Sequence, residues 1–251
     1  MNIIFAALLV LGAFWGSNSL AQNQEQSATQ AEPVTQEQAA APALSVTQTL
    51  PVAQDPSVYE SRSDIGQLIN KWGYFRDHDL WDELRATFHP GGEIQVTWYI
   101  GSFDGFVDAS IGMAEGGAKS AHIMKPSIID VVGDRAFAIT PASITGRGDA
   151  GVEVDLNSYA MFFDFLERKG GEWRFTRRVA VYQKDRMDSV GPSFRFWLMS
   201  FFLDTDKFDP AYKHLGAAME AQGYEILPGQ IVDHSDESRA LYREGQDWLK
   251  G

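Results

Sequence analysis

Five histidines and no cysteine bound the chemistry this chain carries. Without thiols there are no disulfides, no thiolate nucleophile, no thioether-linked haem and no cysteine-ligated zinc or iron–sulfur cluster. His89 stands before Pro90 at the expected end of a helix, and His214 and His234 lie beside charged residues where an exposed role accounts for them. His78 and His122 remain. His122 sits in Ser120-Ala121-His122-Ile123-Met124, near the start of an expected strand, so its side chain points opposite to Ala121 and Ile123. A neutral imidazole on a cavity wall, with its second nitrogen held by a carboxylate, is a general base poised near neutral pH. The run Asp77-His78-Asp79, at an expected helix–helix corner, is one source of that carboxylate. From spacing alone the same residues also describe a satisfied core histidine and exposed acids. His78, Asp79 and His122 are placed too loosely to define metal-ligand geometry, so no metal is expected.

The elements that must position these groups are legible as periodicities. Ile65, Leu68, Ile69, Trp72 and Phe75 recur at three- and four-residue spacing behind Ser63 as a cap, which predicts a helix. Leu80 to Phe88 predicts a second, short one, stopped by His89-Pro90-Gly91-Gly92. Ile94, Val96, Trp98 and Ile100 alternate with Gln95, Thr97 and Tyr99, the pattern of one strand with an apolar face, and Phe103 to Met113 reads as a third helix. Four long strands are expected at Ala121 to Val132, Arg135 to Thr145, Val152 to Leu166 and Trp173 to Lys184, broken by Gly133-Asp134, Gly146-Arg147-Gly148 and Gly170-Gly171. Helices followed by hairpin-linked strands predict an α+β pocket domain over 61–188, its antiparallel sheet curling over the helices because each layer has a single apolar face to bury. Tyr74, Trp98, Tyr99, Asn157, Tyr159, Arg178 and Tyr182 are the groups available to hold a substrate. Alternation pairs Arg178 with Tyr182 and sets Trp173, Phe175, Val179 and Val181 on the other face, leaving open which set faces the cavity.

The segment 189–251 is too small to bury a core of its own, so it is expected to pack on the domain or on a neighbouring subunit. Its aromatic cluster, Phe194, Phe196, Trp197, Phe201 and Phe202, is either a pocket lid or a packing patch.

Several motifs in order carry a resemblance: Arg76-Asp77-His78-Asp79-Leu80-Trp81-Asp82-Glu83-Leu84, then Phe88, Gly101 and Gly105, His122, Val132 to Ala136, and Gly170 to Phe175. Together they resemble the SnoaL-like branch of the nuclear transport factor 2 superfamily, similar in layout to scytalone dehydratase, the bile acid dehydratases and the lindane dehydrochlorinase, over about 64–188. The resemblance implies a cone-shaped barrel, a strongly curved, mostly antiparallel sheet wrapped around three N-terminal helices, with a helical C-terminal extension here. It implies Asp77 as the residue that orients His122, and His122 as the base that removes a proton from the substrate. It also implies a homotrimer or homodimer through the convex sheet face. The additional tyrosine, histidine and asparagine of scytalone dehydratase have no clear match.

The N-terminus carries the apolar run Ile3 to Leu11, continuing to Trp15, and then Ser19-Leu20-Ala21, a small-x-small pattern that predicts an export signal over 1–21 and a periplasmic or secreted protein. A buried helix or an uncleaved anchor is the alternative. The Gln-, Glu-, Thr- and Pro-rich stretch 22–60 buries too little to offset ordering its backbone and predicts a linker. A formal charge of −13 speaks against nucleic acid as a partner, because such affinity rests on neutralising phosphates. No stable membrane insertion is expected after signal cleavage. The expected function is a cofactor-independent, dehydratase-like lyase acting on a mainly apolar small molecule; the alternatives are an isomerase or cyclase using the same two residues, or a non-catalytic binding domain.

Overall fold

The computed structural model describes residues 56–251 apart from Ala118, Ala150, Phe202 and Leu203. The expected export signal, the linker as far as residue 55, and Phe202 of the aromatic cluster lie outside the described residues. The helices are α1 (Pro56–Asp77), α2 (Trp81–Arg85), α3 (Phe103–Glu115), α4 (Phe194–Ser200), α5 (Lys213–Ala221) and α6 (Asp236–Trp248). The strands are β1 (Phe88–Val96), β2 (Tyr99–Ser102), β3 (Ser120–Met124), β4 (Ile128–Val132), β5 (Arg135–Asp149), β6 (Glu153–Lys169), β7 (Glu172–Ser189) and β8 (Ile231–Val232). No helix among the described residues is long and apolar enough to cross a membrane.

Ile65, Ile69 and Trp72 form the buried stripe of α1, as their spacing predicts. The helix begins at Pro56, whose missing N–H costs nothing in a first turn, so Ser63 lies exposed within it instead of capping it. The expected strand Ala121 to Val132 is two strands, β3 and β4, which pair with different stretches of β5. Pro126, which has no N–H to give a ladder, lies at the break.

The strands form one sheet in the order β2-β1-β7-β6-β5-β3, with β4 also on β5 and β8 on β7. Its end strands, β2 and β3, do not pair, and β1 and β8 both run parallel to β7. The sheet is therefore open and mixed, which corrects the closed, strongly curved barrel that the resemblance implied. The reason lies in its second face. Curling was expected because a sheet with one apolar face must wrap its helices, but both faces here are apolar and both are covered. Ala136, Ala138, Ala160, Phe162 and Tyr182 pack with α1, α3 and α5, while Phe137, Phe163, Phe165, Val179 and Val181 pack with Leu241 of α6 and Leu249 beyond it. Gly245 permits that second layer: a Cβ there would stand 2.3 Å from the Phe137 ring. The face that the resemblance would give to a neighbouring subunit is thus partly occupied by this chain's own helix.

A β-bulge also overturns the expected grouping along β7. Leu166 pairs with Phe175 but Phe165 pairs with Arg177, so Thr176 is the extra residue and the side-chain parity flips there. Trp173 and Phe175 consequently share with Arg178 and Tyr182 the face covered by α1, α3 and α5.

Under that face Arg178 and Asp164, directly opposed on β7 and β6, form a bidentate ion pair of 2.6 and 2.8 Å with neither side chain exposed. The guanidinium also lies 4.3 Å from the Trp72 ring centroid and 4.4 Å from that of Phe175. Burial pushes the Asp164 carboxyl up while Arg178 pulls it down. Removing one charge leaves the other buried and uncompensated. Asp164→Asn and Arg178→Met should each lower stability by about 3–5 kcal/mol in urea unfolding, whereas the double replacement Asp164→Leu/Arg178→Met should recover most of that loss.

Candidate active site

The site begins with a close approach of helix to strand. Gly73 of α1 lies against β3, where a Cβ would meet the His122 carbonyl oxygen and the Met124 Cε at 3.3 Å each. One turn further on, that proximity puts Asp77 within reach of His122. The Asp77 carboxylate accepts two hydrogen bonds of 2.6 Å, one from the His122 backbone N–H into Oδ2 and one from the ring Nδ1 into Oδ1. A carboxylate only accepts, so Nδ1 carries a proton, and in the neutral imidazole the acceptor nitrogen is then Nε2. Each of the two side chains is 11% exposed. The Trp72 ring meets the imidazole edge-on at 5.5 Å and limits its swing.

His122 lines a cavity of about 130 Å³ whose wall is mostly apolar: Trp72, Trp98, Phe106, Met113, Ile144, Leu156 and Phe162 contribute, with Leu215 and Met219 from α5. Polar groups also reach it, among them Arg76, Thr97, Lys119, Ser120 and Gln222. Arg76 follows Trp72 by four residues and so shares the buried stripe of α1. It is 7% exposed, and burial pulls its pKa below the ordinary arginine value against the opposing fields of Asp77, Asp79 and Tyr224.

The C-terminal segment completes the wall. Asp185 of β7 accepts from the backbone N–H of Leu215 and from His214 Nδ1, both at 2.7 Å, and so seats the first turn of α5 over the cavity. His214, expected at the surface, is half-buried in that clamp. The single strand expected through Ile94 to Ile100 is instead a hairpin, with Val96 opposite Tyr99 and Thr97-Trp98 at its tip. No glycine, asparagine or proline marks this turn. Distant groups hold it: Thr97 N–H donates to the Tyr182 hydroxyl at 2.9 Å, and Leu227 N–H donates to the Thr97 carbonyl at 3.0 Å.

Of the residues expected to hold a substrate, only Trp98 and Tyr182 line the cavity. Tyr74 is exposed on α1 and stacks on His78 at 3.9 Å. Tyr99 packs beside Trp98 and Phe106 without lining the cavity. Asn157 and Tyr159 alternate with Leu156, Ser158 and Ala160 and so project from the opposite face, where Tyr159 lies between Lys125 and Lys184. Arg178 is beneath the wall, spent on Asp164. Asp79 is exposed with φ 58° and caps nothing; His78 bonds the Tyr74 carbonyl; and His89 lies in β1, bonded to the Glu167 carbonyl. Among the described residues no three His, Asp or Glu side chains converge as metal ligands. Phe194, Trp197 and Phe201 are exposed and line no part of the cavity, so α5 supplies the cover that the aromatic cluster was one candidate for. Sequence reading missed Arg76, Lys119 and the α5 residues. For Arg76 a signal existed, since a charge at i+4 from Trp72 falls on the core stripe.

An α+β pocket domain with an oriented histidine on the wall of an apolar cavity is the class these features define. The chain belongs to the SnoaL-like family: residues 57–179 match the SnoaL-like domain. An uncharacterized protein of Emericella nidulans is 30% identical over 213 residues, covering 76% of this chain and 86% of that one. Pea pathogenicity protein 2 of Fusarium vanettenii is 29% identical over 208 residues with the same coverage. Among solved structures, a hexachlorocyclohexane dehydrochlorinase is 17% identical, with a TM-score of 0.47, covering 56% of this chain and 99% of that one.

Two outcomes follow from this geometry. Gly73→Leu should force α1 off β3, costing roughly 1–3 kcal/mol as an overpacked contact and breaking the Asp77–His122 bonds, seen as loss of the His122 ring N–H resonance in NMR. Burial raises the Tyr182 hydroxyl from 10.0 to about 12. An unfolded tyrosine ionises first, so the unfolded state binds fewer protons between these values and stability falls as pH rises from about 10 to about 12. Tyr182→Phe should flatten that part of the alkaline stability curve, while costing about 1–3 kcal/mol at neutral pH because the Thr97 N–H loses its acceptor.

Proposed function

We propose that the protein is a cofactor-independent, dehydratase-like lyase acting on a mainly apolar small molecule, with His122 as general base and Asp77 as the residue that orients it. The observation that carries this reading is the 2.6 Å bond from His122 Nδ1 to Asp77, which leaves Nε2 for the apolar cavity that His122 lines. In this geometry Nε2 takes a proton from a substrate carbon next to an activating group. The C–H electron pair forms a double bond as a hydroxyl or halide leaves the adjacent carbon with its own pair. Asp77 stabilises the imidazolium as it forms without taking the proton itself. The apolar wall keeps water from competing for the base and strengthens the charge interaction inside. The likeness of Asp77 and His122 to the orienting acid and the base that the family resemblance implies supports the same reading.

His122→Ala should lower turnover by about 10²–10⁴-fold with the fold intact by circular dichroism. Asp77→Asn should lower kcat with little change in KM, because it disturbs ring orientation more than binding. Mass spectrometry of the product should show loss of water or of hydrogen halide. Product of unchanged mass would move the assignment to isomerisation, and full activity in His122→Ala would remove the base.

A further inference from the structure

Arg76 is a buried cation without a carboxylate of its own. Its one hydrogen-bond partner among the described residues is the Met113 thioether, 3.6 Å from Nη2, a weak acceptor for a guanidinium. No ion pair joins it to any described acid, although Asp77 and Asp79 are close in sequence. Consecutive residues on a helix do not share a face, and the Asp77 carboxylate is directed to the backbone N–H and ring of His122, while Asp79 is exposed with φ 58°. The Trp81 ring, 5.7 Å from the Arg76 Cζ, offers one further favourable contact. Desolvating a guanidinium costs several kcal/mol unless its donors are met. The cavity is what this cation shares with His122.

We propose that Arg76 is the oxyanion-binding group of the cavity and that the substrate is an apolar carbonyl compound whose oxygen docks on the Arg76 guanidinium while His122 removes the proton from the adjacent carbon. The proposal rests on the lyase reading and specifies its substrate class. Nε2 of His122 takes the α-proton, and the C–H pair moves into the C–C bond as the carbonyl π pair moves onto oxygen, giving an enolate held by Arg76. Collapse of the enolate restores the carbonyl, forms the α,β double bond and expels the β-substituent with its electron pair. When that substituent is hydroxide, the imidazolium returns its proton and water leaves. A preorganised cation aimed at the oxygen acts most strongly when the charge is greatest, which is the requirement for lowering the barrier instead of tightening ground-state binding. Lys119 also lines the cavity but is largely exposed, so its charge is hydrated and its stem mobile.

The test uses the full chain and 4-nitrophenol, whose ionised form places an oxyanion on a small apolar ring, against 4-nitroanisole as its neutral counterpart. Binding is read by quenching of tryptophan fluorescence, since Trp72 and Trp98 line the cavity, and ionisation of the phenol by its visible absorbance. The native chain should bind the phenolate at least about tenfold more tightly than the anisole, the scale of one charge-assisted hydrogen bond, and should lower the apparent pKa of the bound phenol. Arg76→Met, close to the arginine stem in shape and free of the buried charge, should bring the two probes within about twofold of each other, and Arg76→Lys should restore part of the preference. His122→Ala should keep it. No preference in the native chain overturns the proposal, as does a preference that survives in Arg76→Met or disappears in His122→Ala or Lys119→Met. Turnover in His122→Ala tests the lyase reading separately, because the phenolate preference requires no reaction.

Discussion

Both oxygens of the Asp77 carboxylate are committed to one residue, and the arrangement of the site depends on that commitment. A single oxygen on the imidazole would fix its tautomer; the second, on the His122 backbone N–H, fixes helix α1 against strand β3. The approach is tight because Gly73 removes the side chain that would keep the two apart. Tethering through the backbone makes the ring's position a property of the fold and not of one rotamer. The neighbouring Arg76 is consecutive with this acid in the chain but, as an adjacent helix residue, lies on another face and makes no ion pair with it.

The same economy appears in the walls around this pair. Asp164 and Arg178 neutralise one another below Trp72 and Phe162, so these two fully buried charges do not line the cavity. Asp185 repeats the carboxylate pattern of Asp77, accepting from a backbone N–H and a histidine Nδ1, and uses it to seat α5. Leu215 and Met219 then bring apolar surface to the wall, and Trp98 is carried there by a hairpin that Tyr182 and Leu227 hold. The segment after residue 188 therefore does two separate jobs: α5 finishes the cavity on one face, and α6 buries the other face. Covering both faces removes the need for the sheet to close upon itself.

Local pattern was sufficient wherever one physical requirement decided the outcome. The α1 stripe, α3 and the long strands β5 to β7 follow from residue type and periodicity, because burying an apolar face leaves a signature in the chain; residue type singles out His122 and the acids of the Asp77-His78-Asp79 corner, and the family resemblance selects Asp77 among them. Local pattern was insufficient where two requirements competed. Thr176 flips the parity of β7 through a bulge that no glycine announces, so the grouping of Phe175 and Val179 was wrong. Thr97-Trp98 turns without turn residues because distant hydrogen bonds replace local propensity. Asn157 and Tyr159 were plausible polar contacts whose strand face excludes them from the cavity, and Arg178 had the right chemistry but was already paired.

What the sequence alone determined is the class: an α+β pocket domain, no thiol chemistry, and a histidine on an expected strand with a cluster of acids at a helical corner, from which the family resemblance picks Asp77. Only the tertiary structure decided that the sheet is open, that α5 covers the cavity, and that Arg76 faces it unpaired while Arg178 does not. Periodicity records which face of an element is buried. It does not record what buries that face, nor which of several charges is neutralised before it reaches the cavity, because both depend on contacts between residues far apart in the chain.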